Sequence, residues 1–270
     1  MTTLPHTITG PADGPAVMLL HGFMGAADDW DVVTAALSDT FRCIAVDLPG
    51  HGAAVDLPDE TYTAEGTTAA LLATLDALGV ARCHVVGYSM GGRLALYVAL
   101  RYPERCGRLV LESASPGLRA ESERAERRAL DEDRARAVVE DLGRFLEQWY
   151  RMPLFASLKD HPAVRAAMME RRRRNRPHEI ARSLRGFGTG QQPSLWEDLP
   201  RFAVPTLAVA GSRDRKFADL AFEMAVVGPP VMPLVVQTGH TVHAEQPALF
   251  AALVRDFFRD PVSHPQPALT

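Results

Sequence analysis

Val85-Val86-Gly87-Tyr88-Ser89-Met90-Gly91-Gly92-Arg93 decides the fold. Residues 83–86 are an apolar run that reads as a buried strand, and residues 91–102, stopped by Pro103, read as a helix. Between them Gly-x-Ser-x-Gly makes a sharp, strained turn, with small residues at 87 and 91 where a Cβ would block the backbone. Ser89 then stands at the mouth of the sheet, in the field of the helix N-terminus. The five-residue pattern alone occurs by chance; the strand before it and the helix after it give it meaning.

Outward from this turn, short apolar runs alternate with helical periodicity. Residues 16–20, 43–46, 83–86, 109–111, 206–210 and 233–236 read as buried strands. Residues 63–78 place Leu71, Leu72, Leu75 and Leu78 on one helical face, closed by Gly79. Residues 247–258 repeat the pattern with Leu249, Leu253 and Phe257. Such alternation predicts an α/β fold, a mostly parallel sheet with helices on both faces. The rhythm breaks between Ser113 and Pro205, where the chain is charged and helical over 119–143, 146–150, 163–174 and 179–184. The expected organisation is a core over 1–113 and 205–270, interrupted by a helical lid over 114–204. The tail after Asp260 reads as frayed.

Composition narrows the function. With 270 residues, 47% apolar and 23% charged, the chain has material for a large globular core. A net charge of -4 argues against a nucleic-acid binder. No apolar run approaches the ~18 residues of a membrane span, and the N-terminus lacks the pattern of a signal peptide. Three cysteines (Cys43, Cys83 and Cys106) are too few and of the wrong parity for a disulfide scaffold, so a cytoplasmic location is expected. Of the 29 basic residues, only Lys159 and Lys216 are lysine, and 16 arginines fall between Gly117 and Asp198.

A nucleophilic serine needs a base, and the base an orienting acid, which in this strand–turn–helix context follow in the order acid, then histidine. Asp214, in Ala210-Gly-Ser-Arg-Asp214, and His240, in Gln237-Thr-Gly-His240, each follow a strand, at the edge where open α/β sheets bind ligands. Asp219 and His243 are the competitors: Asp219 falls a turn into the next helix, and His243 lies further from its strand. The backbone N–H groups of Phe23 and Met90 are the expected oxyanion donors. His21 and His51 read as structural residues of the loops beside the site. His240 and His243 lack a third ligand at a zinc spacing, and no phosphate-binding glycine loop is present, so neither a metal nor a cofactor is expected. Arg93, four residues after Ser89 on the helix, faces the same way as the nucleophile and suits a carboxylate near the reacting atoms.

These motifs resemble the α/β-hydrolase superfamily, a fold that hosts many chemistries. A narrower resemblance lies in the lid. Ser183-Leu-Arg-Gly-Phe-Gly-Thr-Gly-Gln-Gln-Pro-Ser-Leu-Trp196 is similar to the lid signature of the 2-succinyl-6-hydroxy-2,4-cyclohexadiene-1-carboxylate synthase family of menaquinone biosynthesis. Leu20-His-Gly-Phe-Met-Gly25, Asp47-Leu-Pro-Gly-His-Gly52, Ser115-Pro-Gly-Leu118, Gly211-Ser-Arg-Asp-Arg-Lys-Phe217 and Gly239-His-Thr-Val-His-Ala-Glu-Gln-Pro247 agree with it. The match runs from about Ala16 to Phe258.

The resemblance implies a lyase that needs no cofactor. Its substrate is a small polycarboxylate from which pyruvate is expelled, with Ser89 as base, His240 and Asp214 behind it, and no acyl-enzyme. It places Tyr88, Arg93, Arg127, Trp149 and Arg172 on the substrate. Arg124 and Arg128 compete with Arg127, and the register within residues 171–174 is open. The alternative is a serine hydrolase of an anionic ester or of a C–C bond in a vinylogous diketone.

Overall fold

In the computed structural model, which describes residues 2–259, seven strands form one sheet in the order β1-β3-β2-β4-β5-β6-β7. The strands are β1 (His6–Thr9), β2 (Ala16–Leu20), β3 (Arg42–Val46), β4 (Cys83–Tyr88), β5 (Cys106–Glu112), β6 (Thr206–Gly211) and β7 (Val231–Val236). Only β1 runs antiparallel, against β3, and all other pairs are parallel. Parallel strands covered on both faces become near-continuous apolar runs, which is why β2 to β6 are legible in the sequence. β1, His-Thr-Ile-Thr at the sheet edge, has three exposed residues and carries no such signal.

Ten α-helices are present among the described residues: α1 (Asp31–Leu37), α2 (Ala64–Ala77), α3 (Met90–Arg101), α4 (Glu121–Glu140), α5 (Leu142–Trp149), α6 (Pro162–Arg173), α7 (Pro177–Phe187), α8 (Arg215–Val227), α9 (Val242–Glu245) and α10 (Pro247–Arg259). One sheet face is covered by α2, α3 and α8 through Leu71, Leu75, Leu94 and Met224. The other is covered by α1 and α10 through Val33, Leu37, Phe250 and Val254, packed around Trp30. Thr63 caps α2 by accepting from the Gly66 N–H at 3.0 Å, and Gly79 follows its end at φ 69°.

The insertion between β5 and β6 contains α4 to α7 and no strand. The helix expected over 119–143 is divided at Asp141, whose backbone turns extended while its carboxylate accepts from the Arg144 N–H at 2.9 Å. A new N-cap thus starts α5 where α4 ends. The insertion has its own apolar core, including Val138, Phe145, Leu146, Met168 and Ile180, and Met24 from the loop after β2 packs into it. The glycines of the 183–196 string serve close packing. A Cβ on Gly186 would lie 2.5 Å from the Tyr62 carbonyl oxygen, and one on Gly190 would lie 2.5 Å from the Arg128 nitrogen.

No helix among the described residues is long and apolar enough to cross a membrane. Cys43, Cys83 and Cys106 are buried and free, and burial pushes their thiols up, to about 11 at Cys43 and about 12 at Cys106. The tail after Asp260 lies outside the described residues.

Candidate active site

Ser89 sits between β4 and α3 with φ 50° and ψ -106°, a left-handed conformation that costs about 1–3 kcal/mol for a residue with a side chain. The surroundings enforce it. The Ser89 N–H donates to the Glu112 carbonyl at 2.8 Å, and the Ser89 carbonyl accepts from the Arg93 N–H at 2.9 Å. A Cβ on Gly87 would lie 2.6 Å from the Gly91 carbonyl oxygen, and one on Gly91 would lie 2.2 Å from that of Leu20. The strained turn read from the sequence is therefore present, and its glycines are sterically required.

His240 Nε2 lies 3.3 Å from Ser89 Oγ, and Nδ1 lies 2.5 Å from Asp214 Oδ2. An ionised carboxylate accepts only, so Nδ1–H donates to Asp214 and leaves the Nε2 lone pair for the serine hydroxyl. That is the tautomer a general base needs. The competitors are placed elsewhere. Asp219 is exposed on α8 beside Arg215, and His243 donates its backbone N–H and Nδ1–H to the buried carboxylate of Glu112.

Phe23 and Met90 line the cleft together with Ser89. Met90 opens α3, so its N–H has no partner within the helix and is available to a developing anion. The loop carrying Phe23 is braced by His21, which accepts from the Leu48 N–H at 3.0 Å. His21 and His51 are fully buried, and burial lowers both, His51 to about 3, so they stay neutral supports. Tyr88 fills the space behind the loop, where a Cβ on Gly22 would meet its ring at 2.5 Å.

The cleft has a volume of about 420 Å³ and opens beside Ser89 and His240. Arg93, Arg127, Arg134, Trp149 and Lys216 all line it. Arg93 is buried, donates to Gln192 Oε1 at 2.8 Å and to the Phe187 carbonyl at 3.3 Å, and has no carboxylate partner among the described residues. Burial, and then the nearby Arg127 charge, pull its guanidinium down to about 9. A charge held in that environment is stabilised by any anion that enters.

A recess of about 30 Å³, bordered by Tyr88, Ser89, Trp149, Arg172 and His240, extends the cleft behind the serine. Arg172 and Asp29 are each only 2% exposed, with both terminal guanidinium nitrogens 2.6 Å from the carboxylate. Burial opposes ionisation of Asp29, but the Arg172 charge and hydrogen bonds outweigh it and hold the carboxyl below the usual range. Arg172 therefore reaches the recess as one half of a compensated pair.

A family model described as alpha/beta hydrolase fold matches residues 15–223. A 2-succinyl-6-hydroxy-2,4-cyclohexadiene-1-carboxylate synthase of Serratia proteamaculans is 34% identical over 254 residues, covering 93% of this chain and 96% of the relative. A Bacillus subtilis protein carrying the same enzyme name in provisional form is 38% identical, covering 92% of each chain. The chain belongs to this synthase family. The solved structure of MenH from S. aureus agrees, with a TM-score of 0.90 at 34% identity over 96% of this chain and 98% of that one.

The arginines left as alternatives by the sequence take up different surroundings in the structure. Arg124 and Arg128 turn to the start of α4 and to Glu121, whereas Arg127 faces the cleft. In the run 171–174, Arg171 joins Asp29, Arg173 pairs with Glu170 and Arg174 with Asp28, and only Arg172 borders the recess. Trp149 lines the cleft and also packs against the insertion's apolar core, with ring centroids 5.3 Å from Phe23 and 5.6 Å from Phe145. Sequence reasoning missed Arg134, Lys216 and Gln192. Gln192 lies inside the lid string, but its partner Arg93 is 99 residues away, a pairing that no local pattern signals.

Proposed function

We propose that this chain is a lyase of menaquinone biosynthesis, working in the cytoplasm. It converts 2-succinyl-5-enolpyruvyl-6-hydroxy-3-cyclohexene-1-carboxylate to 2-succinyl-6-hydroxy-2,4-cyclohexadiene-1-carboxylate and pyruvate. The observation that carries this is Arg93, a buried cation with no carboxylate partner among the described residues, lining the same cleft as a hydrogen-bonded Ser89–His240–Asp214 set. A site for neutral esters has no use for such a charge, whereas a substrate with three carboxylates does.

In this mechanism His240 Nε2 takes the Ser89 hydroxyl proton, and the alkoxide removes the ring proton next to the succinyl carbonyl. Asp214 steadies the imidazolium that forms. The electron pair moves first toward the succinyl oxygen, where the N–H groups of Phe23 and Met90 stabilise the charge. It then returns through the ring to break the C–O bond to the enolpyruvyl group. The enolate released gains one proton to become pyruvate and the His240 imidazolium gives one up, so Ser89 and His240 return to their starting protonation. Ser89 forms no bond to carbon. Residues 114–204 act as the lid, and Tyr88, Arg93, Arg127, Trp149 and Arg172 as the substrate surround. Arg172 takes part from within its pair with Asp29, which shapes the recess behind the serine.

Incubation with the enolpyruvyl substrate is expected to release pyruvate well above the spontaneous rate, and release at the spontaneous rate would sink the lyase proposal. Arg93→Leu is expected to lower kcat/KM for this tricarboxylate by about 10–100-fold, the value of a charge-assisted hydrogen bond in a desolvated site. Phosphonylation of Ser89 by a neutral fluorophosphonate is expected to change far less. Equal losses in the two assays would mean that Arg93 only supports the turn.

A further inference from the structure

We propose that Arg134 is a specificity-determining residue of this cleft, holding one carboxylate of the tricarboxylate substrate beside Arg127, with Asp131 as the anchor that both arginines share. The inference rests on the lyase proposal above and deepens it. Residues 127, 131, 134 and 138 of α4 fall on one helical face. Val138 at the end of that face is buried in the insertion's core, and Arg127 and Arg134 line the cleft. Asp131 Oδ1 accepts from Arg127 Nε at 2.8 Å and from Arg134 Nη1 at 3.2 Å, while Oδ2 accepts from the Gly190 N–H at 3.3 Å. Asp131 is only 4% exposed, so the anchor is fixed in the protein rather than in solvent.

One carboxylate thus serves two guanidiniums and neutralises one of them. Arg134 is further oriented by Trp149, whose ring centroid lies 5.3 Å from the guanidinium carbon, the range of a cation–π contact. Burial, followed by the Arg127 charge, disfavours the charged form of Arg134, and a ligand anion offsets both. Arg93, Arg127, Arg134 and Lys216 line the cleft, and Asp131 is the one carboxylate bonded to them among the described residues. Three positive charges remain in excess, equal to the carboxylates of the proposed substrate. Arg172 adds nothing to this balance, because Asp29 already cancels it.

The test is a chemical cycle. Arg134→Met and Arg134→Lys are assayed for pyruvate release with the tricarboxylate and with three analogues, each lacking one carboxylate. Arg134→Met is expected to raise KM for the parent substrate about tenfold with kcat within about threefold, and Arg134→Lys to recover part of the loss. With one of the three analogues the substitution is expected to have no further effect. An unchanged KM for the parent, or the same increase with all four substrates, overturns the assignment. A merely structural role would instead lower the melting temperature and slow Ser89 phosphonylation, and either result as the main effect also overturns it. Should the wild type release no pyruvate at all, the lyase proposal fails by itself. Arg134 is then judged by calorimetry with tricarballylate, expected to bind the wild type about tenfold more tightly than Arg134→Met. Equal affinity there rejects the role for Arg134.

Discussion

Replacing Ser89 by alanine is expected to lower pyruvate release about a thousandfold, within the range that a positioned general base contributes. The hydroxyl is the only part of Ser89 that the mechanism uses, and it lies 3.3 Å from His240 Nε2. Binding should survive, because the arginines of the cleft and the N–H of Met90 are untouched, so the loss falls on kcat and leaves KM within a few-fold. The fold should also survive. The backbone at φ 50° is imposed by hydrogen bonds to Glu112 and Arg93, and alanine meets the same strain as serine. Adding His240→Ala to Ser89→Ala is expected to cost little more, since the two act as one unit. Independent, multiplying losses from the two substitutions would show that they do different jobs. Rates and melting temperatures of the three variants check both statements.

Arg172→Met is expected to have the largest effect on stability. Removing one partner of a buried ion pair leaves an uncompensated charge and typically costs about 3–5 kcal/mol. Arg171 keeps a hydrogen bond to Asp29 at 3.0 Å, which places the expected loss near the lower end. Spread over a chain of this length, about 3 kcal/mol lowers the melting temperature by about 5 °C. The pair also fixes a pH dependence. Because Asp29 is held below the usual carboxylate range, its stabilisation is complete above the unfolded value near 4 and is lost as pH falls toward the folded one. The gap in stability between wild type and Arg172→Met should therefore narrow below about pH 4. Denaturant titrations at neutral and acid pH measure it, and a gap that widens in acid would show that another interaction of Arg172 dominates.

The sheet and the placement of Ser89, Asp214 and His240 together were legible in the sequence because their signals are local. A strand buried on both faces must be apolar throughout, and the turn at Ser89 needs glycine at 87 and 91 on steric grounds. Asp214 and His240 could be read from their places after strands. β1 was not legible, because an edge strand with one covered side needs no apolar run. The division between α4 and α5 was obscured by continuous helical periodicity, although Asp141 followed by Leu-Gly carries the N-cap signal. The arginines of the insertion posed a different problem. In a helix that carries several arginines on different faces, which guanidinium meets the cleft depends on how the helix docks. The acid at 131, placed four residues after Arg127 and three before Arg134, was the available clue. Lys216, one of two lysines in the chain, stood out by type but not by position. The arginines thus include exposed ion pairs, a buried pair of Arg172 with Asp29, and Arg93, Arg127 and Arg134 lining the cleft.

The central claim is that Ser89 moves a proton in a cationic cleft and never bonds to the substrate. Rapid-quench sampling of a single turnover of the enolpyruvyl substrate, with pyruvate and the intact protein mass recorded in each sample, tests it most directly. The account predicts stoichiometric pyruvate while the protein keeps its unmodified mass at every time point. A transient mass increase located on Ser89 that rises and decays with product formation, or a turnover that yields no pyruvate, would contradict it.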